Sequence, residues 1–185
     1  MGNDVQYLEE NLPVAVIARC QRGDRDAQRQ VYESCHGKVH RLMVRMVGID
    51  EAPDLTQCAF LQVFRTIDQF AGHAKLETWI YRVAANEALQ HLRRCRQRKP
   101  APLEWEPIDP RPDGRQQLEQ RELLNRSLQQ LEPELRCIFL LREVDELSYR
   151  EIAQSLGIPE GTVGSRLNRA RSDLRRHLLE LGWEA

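Results

Sequence analysis

The most informative stretch of this chain is LSYREIAQSLGIPEGTVGSRLNRARSDLRRHLL, at residues 147–179. They predict two helices joined by a tight turn. Ser148 and Glu151 have the spacing of a capping box, in which each side chain bonds the backbone N–H of the other residue at a helix start. Gly157 supplies the left-handed conformation that ends a helix. A proline is tolerated only in the first turn of a helix, so the second helix is expected to begin directly after Pro159.

The second predicted helix separates an apolar face from a polar one. Its apolar residues recur every three or four positions, as a helix packed on one side requires. They are Val163, Leu167, Ala170, Leu174 and Leu178. The opposite face carries Ser165, Arg166, Asn168, Arg169, Ser172 and Arg176. A helix-turn-helix reads DNA with this division, because one face is packed while the other reaches base edges and phosphates. The alternative is a helical hairpin with a solvated basic face. That alternative does not explain why the polar stripe coincides with a capping box and a glycine turn.

A proline-rich stretch marks the clearest boundary in the chain. Its members between positions 99 and 117 are Pro100, Pro102, Pro107, Pro110, Pro112 and Gly114. Prolines at this density exclude a helix interior and favour an extended connector. The sequence therefore predicts a first domain over residues 1–98, a linker over 99–117 and a second domain over 118–185.

Both domains are predicted to be helical, because no sustained alternation of apolar and polar residues indicates a strand. The second domain opens with a leucine-rich helix from Leu118. Another helix restarts at Pro133, and its Ile138, Leu141 and Val144 are expected in the core. The predicted fold class is therefore all-α, with two small helical domains.

Composition limits the class of protein. At 185 residues, with 30% charged side chains, the chain suits one or two small soluble domains. It has no apolar run near the roughly 20 residues that a membrane helix needs. Its first residues lack a basic segment followed by an apolar one, so no export signal is predicted. We therefore expect a cytoplasmic protein.

Charge is segregated along the chain, although the net charge is only −1. Residues 75–99 hold seven basic side chains against two acidic ones, residues 103–134 are net acidic, and residues 166–176 are basic again. Two basic patches separated by an acidic stretch indicate two places where phosphates are bound.

The cysteines favour reduced thiols over a disulfide framework. The five are odd in number and form no C-x-x-C pair, so most are expected to be small buried apolar residues. Cys35 and His36, with His40 one helical turn later, could form a crude metal site. A fourth ligand is not visible, so no metal or other cofactor is predicted.

A second group of polar and aromatic residues lies before the linker, on a predicted helix over residues 78–94. Ile80, Val83, Ala84 and Leu92 can face inward. The opposite side then carries Trp79, Arg82, Asn86, Gln90 and Arg93, and the loop 70–75 precedes it. Such a surface suits unstacked bases, because rings stack on bases, amides bond base edges and guanidinium groups follow the backbone. The alternative is an ordinary amphipathic helix with Trp79 in its core, and this helix taken alone favours that alternative.

Taken together, these motifs resemble the extracytoplasmic-function (ECF) sigma factors of bacterial RNA polymerase, and the resemblance covers nearly the whole chain. D-L-T-Q at 54–57, with A-F-L at 59–61, is similar to the segment of that family that binds core polymerase. F-x-G at 70–72 and T-W-I-Y-R-V-A-x-N at 78–86 are similar to its −10 region. The family's −35 region is matched by L-x-P-x-x-R at 131–136, L-S-Y-x-E-I-A at 147–153 and G-T-V-x-S-R-L-x-R-A-R at 161–171.

The resemblance implies three sets of contacts. Core polymerase would be bound by Asp54, Gln57, Phe60, Leu61 and Phe64. The −10 element, with one base flipped, would be bound by Phe70, Gly72, His73, Lys75, Trp79, Arg82, Asn86, Gln90 and Arg93. The −35 major groove would be read by Arg150, Thr162, Ser165, Arg166, Asn168, Arg169 and Arg171.

The implied function is that of an alternative sigma factor, which directs promoter recognition and transcription initiation in response to a stress or signal. Its implied partners are bacterial core RNA polymerase, promoter DNA and an anti-sigma factor. The chain itself would not be an enzyme. It departs from the family pattern at Cys58, where a carboxylate is usual, at Ala71 and His73 in the loop that contacts the −10 element, and at Gly164, where Lys or Arg is usual.

Two other classes of function compete with this interpretation. A stand-alone helix-turn-helix regulator would bind promoters as a dimer without polymerase, and the motifs before the linker would then be coincidental. A metal-dependent enzyme would use Cys35, His36 and His40, but no paired carboxylates or activated nucleophile accompany them.

Overall fold

The computed structural model describes residues 12–72, 74–98 and 115–183, and the regular elements within these ranges are helical. Before the proline-rich stretch lie α1 (Val14–Gln21), α2 (Arg25–Val47), α3 (Ala52–Thr66), a 3-10 turn (Ile67–Gln69) and α4 (Leu76–Arg98). After it lie α5 (Arg115–Gln129), α6 (Pro133–Glu143), α7 (Tyr149–Leu156) and α8 (Glu160–Glu180). The all-α prediction is confirmed.

Local signals explain where α2 begins and ends. The Asp24 carboxylate accepts hydrogen bonds from the backbone N–H groups of Asp26 and Ala27, at 2.9 and 3.1 Å, and so caps α2. Gly48 ends the helix at a φ of 92°, which is costly for residues other than glycine. α2, α3 and α4 then pack against one another, and their shared core includes Leu42, Met43, Met46, Val63 and Ile80.

The capping box predicted at the start of α7 is present. The Ser148 hydroxyl accepts a hydrogen bond from the Glu151 backbone N–H at 3.3 Å, and the Ser148 N–H donates to the Glu151 carboxylate at 2.8 Å. Gly157 ends α7 in the left-handed region, at a φ of 64°. α8 begins at Glu160, directly after Pro159. The helix-turn-helix is therefore confirmed at each of its predicted boundaries.

The apolar face of α8 packs as its periodicity predicts. Val163, Leu167, Ala170 and Leu174 are buried, and Leu178 packs against the edge of the core. Ile138 and Leu141 of α6 are also fully buried, but Val144 is 39% exposed, so its predicted place in the core is wrong. α6 ends at Glu143. Val144 follows the last helical residue, and the chain turns before this side chain can complete the inner face.

The helices before and after the proline-rich stretch share one continuous core. α4 packs along α7, and α2 packs against α6. None of the helices described is long and apolar enough to cross a membrane.

Candidate functional site

The polar stripe predicted on α4 is present on its outer face. Arg82, Asn86, Gln90 and Arg93 are exposed. Trp79 was expected either on the outer surface or in the core, and it lies between the two. It is partly buried and meets the Phe70 ring edge to face, with ring centroids 5.8 Å apart. One side of the indole therefore packs on the core while the rest of the ring remains at the surface.

A cleft of about 510 Å³ runs beside this stripe. The loop after the 3-10 turn forms one wall through Phe70, Ala71 and Gly72, and α4 forms another through Trp79, Arg82 and Asn86. Side-chain amides of Gln62, Gln69 and Gln90 also line it. Aromatic surface and amide groups around one open cleft can stack on an unpaired base and bond its edge.

Glycine is required in this loop by its backbone conformation. Gly72 has a φ of 74°, and a Cβ built there meets no described atom within 4 Å. The strain of a left-handed backbone, rather than a lack of space, therefore disfavours other residues. Lys75 is exposed directly before α4. His73, also predicted to contact the −10 element, lies outside the described residues.

The second predicted DNA surface lies on α7 and α8. Ser165, Asn168, Arg169 and Arg171 are exposed along α8, as is Arg150 on α7. The remaining members of the predicted set are Thr162 and Arg166, which are partly buried. The Ser165 hydroxyl donates to the Thr162 carbonyl at 3.0 Å, which leaves its oxygen free to accept a bond from a ligand.

Two guanidinium groups of the predicted −35 set are paired with acidic side chains. Arg171 donates to Glu143 at 2.6 Å, and Arg169 lies 3.7 Å from both Glu132 and Asp173. The Arg169 side chain is 63% exposed. Ion pairs at such exposure are weak, so these groups can exchange a carboxylate for a DNA phosphate or base.

Gly164 leaves room for the larger side chain that is usual at its position. A Cβ there would lie 3.6 Å from Cε2 of Tyr149, which is ordinary van der Waals contact. The loss of a basic side chain at this point is therefore not imposed by packing.

The outer face of α3 presents part of the predicted polymerase-binding set. Asp54, Gln57 and Leu61 are exposed, Leu61 by 63%, and Phe64 is partly buried. Phe60 differs from expectation, because only 3% of it is exposed. It lies on the same helical face as other buried residues of α3, so its side chain supports the surface from beneath and does not form part of it.

An aromatic neighbour on α2 extends this surface, and the sequence reasoning missed it. The Tyr32 ring lies 4.7 Å from the rings of both Phe60 and His36, and Tyr32 is 38% exposed. The i, i+4 spacing of Tyr32 and His36 on one helix was the available signal.

The residues suggested for a metal site do not converge. His36 stacks on His40 with centroids 5.7 Å apart, while Cys35 points into the core and is 4% exposed. Burial raises the pKa of the Cys35 thiol to about 11 and lowers the pKa of His40. Within the described ranges, no three His, Cys, Asp or Glu side chains are grouped as a metal site requires. Of the cysteines, Cys20, Cys35 and Cys137 are buried, and Cys58 and Cys95 are exposed.

Comparison with known proteins shows which family this chain resembles. Residues 31–99 match the family described as Sigma-70 region 2, and residues 121–174 match Sigma-70, region 4. The ECF RNA polymerase sigma-E factor of Escherichia coli (strain K12) is 34% identical over 169 residues, which cover 84% of this chain and 88% of that protein. The ECF RNA polymerase sigma factor SigW of Bacillus subtilis (strain 168) is 31% identical over 183 residues, covering 89% of this chain and 96% of that protein.

Two solved structures show the same fold. CnrH, in complex with the cytosolic domain of CnrY, superposes with a TM-score of 0.66 at 23% identity, covering 91% of this chain and 97% of that one. The sigma factor RpoE from Bartonella quintana, in complex with the anti-sigma factor NepR, superposes with a TM-score of 0.67 at 21% identity, covering 84% and 98%.

A stand-alone helix-turn-helix regulator would not account for matches on both sides of the proline-rich stretch. The matches to the sigma-E and SigW relatives cover most of each relative and most of this chain. The chain belongs to the ECF family of RNA polymerase sigma factors, and its function is to direct promoter recognition at the initiation of transcription.

Proposed function

We propose that three separate surfaces divide this function among them. The outer face of α3 binds core polymerase, the cleft beside α4 captures the −10 element as it opens, and α8 lies in the major groove of the −35 element. The accompanying domain division is residues 1–98, 99–117 and 118–185. α5 begins at Arg115, so the helices of the second domain begin within the last residues of the predicted linker.

One observation carries the −10 assignment: the cleft joins aromatic surface with amide groups from two segments of the chain. Flipping a base out of the duplex costs a few kcal/mol. Stacking on Trp79 and hydrogen bonds from Asn86 or Gln90 can offset this cost, since a base stacked on an aromatic ring contributes about 1–3 kcal/mol. The exposed Arg82 and Arg93 follow along the same helix, where the backbone of the captured strand would run.

Control by an anti-sigma factor forms the second part of the proposal. CnrH and the Bartonella quintana RpoE, which share this fold, were each solved with a bound partner, in the latter case an anti-sigma factor. Such a partner fits the exposed apolar Leu61, which lies in the middle of the proposed polymerase-binding face. A protein bound there would exclude polymerase by occupying the same surface.

In this role the chain performs no covalent chemistry. Sigma factors are transcription initiation factors, and the polymerase forms the phosphodiester bonds. We propose that the chain acts with polymerase inside the cell, where it contributes binding, positioning and strand capture.

Run-off transcription tests the function directly. Purified chain is added to bacterial core polymerase on a genomic promoter library, with core polymerase alone as the control. We expect discrete transcripts that depend on the chain, and their start sites supply the −10 and −35 sequences. Binding to DNA without any chain-dependent transcript would contradict the proposal.

A further inference from the structure

The loop that forms one wall of the proposed −10 cleft has a second cavity behind it. Phe70, Ala71 and Gly72 line the cleft of about 510 Å³ on one side and a cavity of about 320 Å³ on the other. α1 also lines this second cavity, through Ile17 and Ala18. The loop is therefore a wall between two open spaces, and side-chain packing supports only part of it.

The Gln21 side chain of α1 holds this loop by two hydrogen bonds. Its Nε2 amide donates to the Ile67 carbonyl at 3.1 Å and to the Phe70 carbonyl at 3.0 Å. A side-chain amide carries two N–H donors, so both of them are used. Because both partners are carbonyl oxygens, the amide nitrogen and not the amide oxygen must face them. Among the described residues, these are the only side-chain hydrogen bonds to the backbone of residues 67–72.

The two carbonyls lie at the two ends of the turn that leads into the loop. Ile67 opens the 3-10 turn, and Phe70 follows its last residue. The Phe70 N–H donates to the Ile67 carbonyl at 3.1 Å, which closes the turn. Gln21 bonds the same Ile67 oxygen and also the Phe70 oxygen, from which the chain continues to Ala71 and Gly72. Gln21 therefore sets the direction in which the loop leaves the turn.

Gln21 is itself anchored by its neighbours in the chain. It is the last residue of α1. The preceding residue, Cys20, is 1% exposed and packs in the core. The Arg19 guanidinium donates to the Asp24 carboxylate at 2.8 Å, and Asp24 also caps α2. The amide therefore reaches the loop from a position that α1 and α2 hold rigidly, as a group that orients another group requires.

The position of this loop determines the shape of the −10 cleft. Ala71 and Gly72 are exposed, and together with Trp79 and Asn86 they line the same space. A short segment of small, exposed residues with few contacts opens easily. A base held between the loop and α4 needs both walls at once, so a displaced loop would leave the base with only the groups on the helix.

We propose that Gln21 is a positioning residue for −10 recognition: it holds the loop 70–72 where the cleft can accept the flipped base. The inference rests on the proposed assignment of the −10 cleft. It adds a residue that acts through the loop and lies before residues 31–99, the segment that matches Sigma-70 region 2. Loss of its two hydrogen bonds lowers the fraction of chains with a receptive loop, and the apparent affinity for the base falls with that fraction.

Two substitutions remove the donors with little change in side-chain size. Gln21→Met is neutral, whereas Gln21→Glu also turns a carboxylate toward the two carbonyl oxygens. Both should reduce open-complex formation by about tenfold, as expected for the loss of two hydrogen bonds. Gln30→Met and Gln30→Glu make the same changes at an exposed position of α2 and should behave as the wild-type chain. Affinity for core polymerase should be unchanged in all four variants, and an equally large loss of that affinity in the Gln21 variants would overturn the inference.

A double-mutant cycle between protein and DNA separates positioning from a general effect on the fold. Run-off transcription first supplies a promoter, and single abasic sites are then placed at each non-template position of its −10 element in turn. At the position of the captured base, the abasic site removes the group that the loop receives, so the wild-type chain and Gln21→Met should differ there by less than about twofold. At the other positions the difference of about tenfold should remain. An equal difference at every position would overturn the inference.

Asn86→Ala distinguishes failure of this inference from failure of the proposed cleft. Asn86 lines the cleft directly, so an abasic site at the captured base should cancel the effect of Asn86→Ala as well. Cancellation with Asn86→Ala but not with Gln21→Met would leave the cleft in place and overturn the positioning role. Cancellation with neither variant would overturn both the cleft and the role of Gln21.

Discussion

At the scale of single residues, Glu151 joins two functions in one carboxylate. It completes the capping box with Ser148 and also accepts a hydrogen bond from Thr78 in the other domain. The hydrogen bond from the Ser148 side chain is the main cause that lowers the pKa of Glu151, and burial opposes it. A group whose pKa is lower in the folded chain stabilises that chain fully above its unfolded pKa and loses the effect as pH falls through its folded pKa.

We therefore predict a pH-dependent cost for Glu151→Gln. At neutral pH the free energy of unfolding should fall by about 1 kcal/mol, as expected for a damaged helix cap. The difference from the wild-type chain should shrink as pH falls below about 4.5, because the wild-type carboxyl becomes protonated. Urea unfolding at pH 7 and at pH 3.5 measures it, with Glu160→Gln as the control. A difference that is constant with pH would contradict the assigned role.

Asn86 allows a second prediction at this scale. Asn86→Ala should reduce open-complex formation and relax the preference for one −10 base, because a lost bidentate base contact costs about 1–3 kcal/mol. Permanganate footprinting on a series of −10 variants measures both effects, and Asn125→Ala on α5 is the matched control. An equal loss on every −10 sequence would mean that Asn86 has only a structural role.

At the scale of elements, α8 combines base-reading and phosphate-binding positions. We predict that Arg169→Ala costs about 1–3 kcal/mol and relaxes specificity at one −35 base pair, because Arg169 lies on the outward face in the middle of the helix. Arg171→Ala should instead weaken all −35 sequences alike and reduce the salt slope by about one, as expected for a phosphate contact. Transcription across −35 variants at two salt concentrations separates the two profiles. Identical profiles would show that the reading face has been assigned wrongly.

α3 carries the polymerase contact in this proposal. Asp54→Arg reverses the charge at an exposed position and should abolish binding to core polymerase, while the circular dichroism of the chain stays unchanged. Glu180→Arg makes the same charge change at the far end of α8 and should bind normally. Fluorescence anisotropy with labelled chain and core polymerase measures both affinities. Wild-type affinity in Asp54→Arg would remove α3 as the docking helix.

The elements also show which features a sequence can predict. The boundaries of α7 and the buried face of α8 followed from local causes, namely a capping box, a left-handed glycine and a three-to-four-residue repeat. Val144 was misplaced, because its burial depends on where α6 ends. The pairing of Tyr81 with Asp145 joins residues 64 positions apart, and no periodic pattern encodes such a contact.

At the scale of the whole molecule, chain length between the two groups of helices limits how far they can separate. The sixteen residues 99–114 lie between α4 and α5, and an extended chain spans at most about 3.3–3.6 Å per residue. These residues can therefore span at most about 60 Å. The width of each domain adds to the distance over which the two DNA-reading surfaces can be placed.

We predict that deleting residues 101–108 abolishes transcription without unfolding either domain. The deletion removes about 26–29 Å of reach, so the chain can no longer contact both elements together, and the loss should be about a hundredfold or more. Replacing the same residues by a glycine-serine segment of equal length should retain activity. Run-off transcription compares the three chains. Full activity in the shortened chain would show that reach is not limiting.

The linker, residues 99–114, also determines how strong the contact between α4 and α7 must be for the two domains to pack together. Two domains joined by a short segment meet at an effective concentration in the millimolar range. A contact that would have a Kd of only about 0.1 mM between separate proteins would therefore form in about nine chains in ten. Such a tenfold preference corresponds to about 1.4 kcal/mol, so the loss of one good hydrogen bond between α4 and α7 is enough to cancel it.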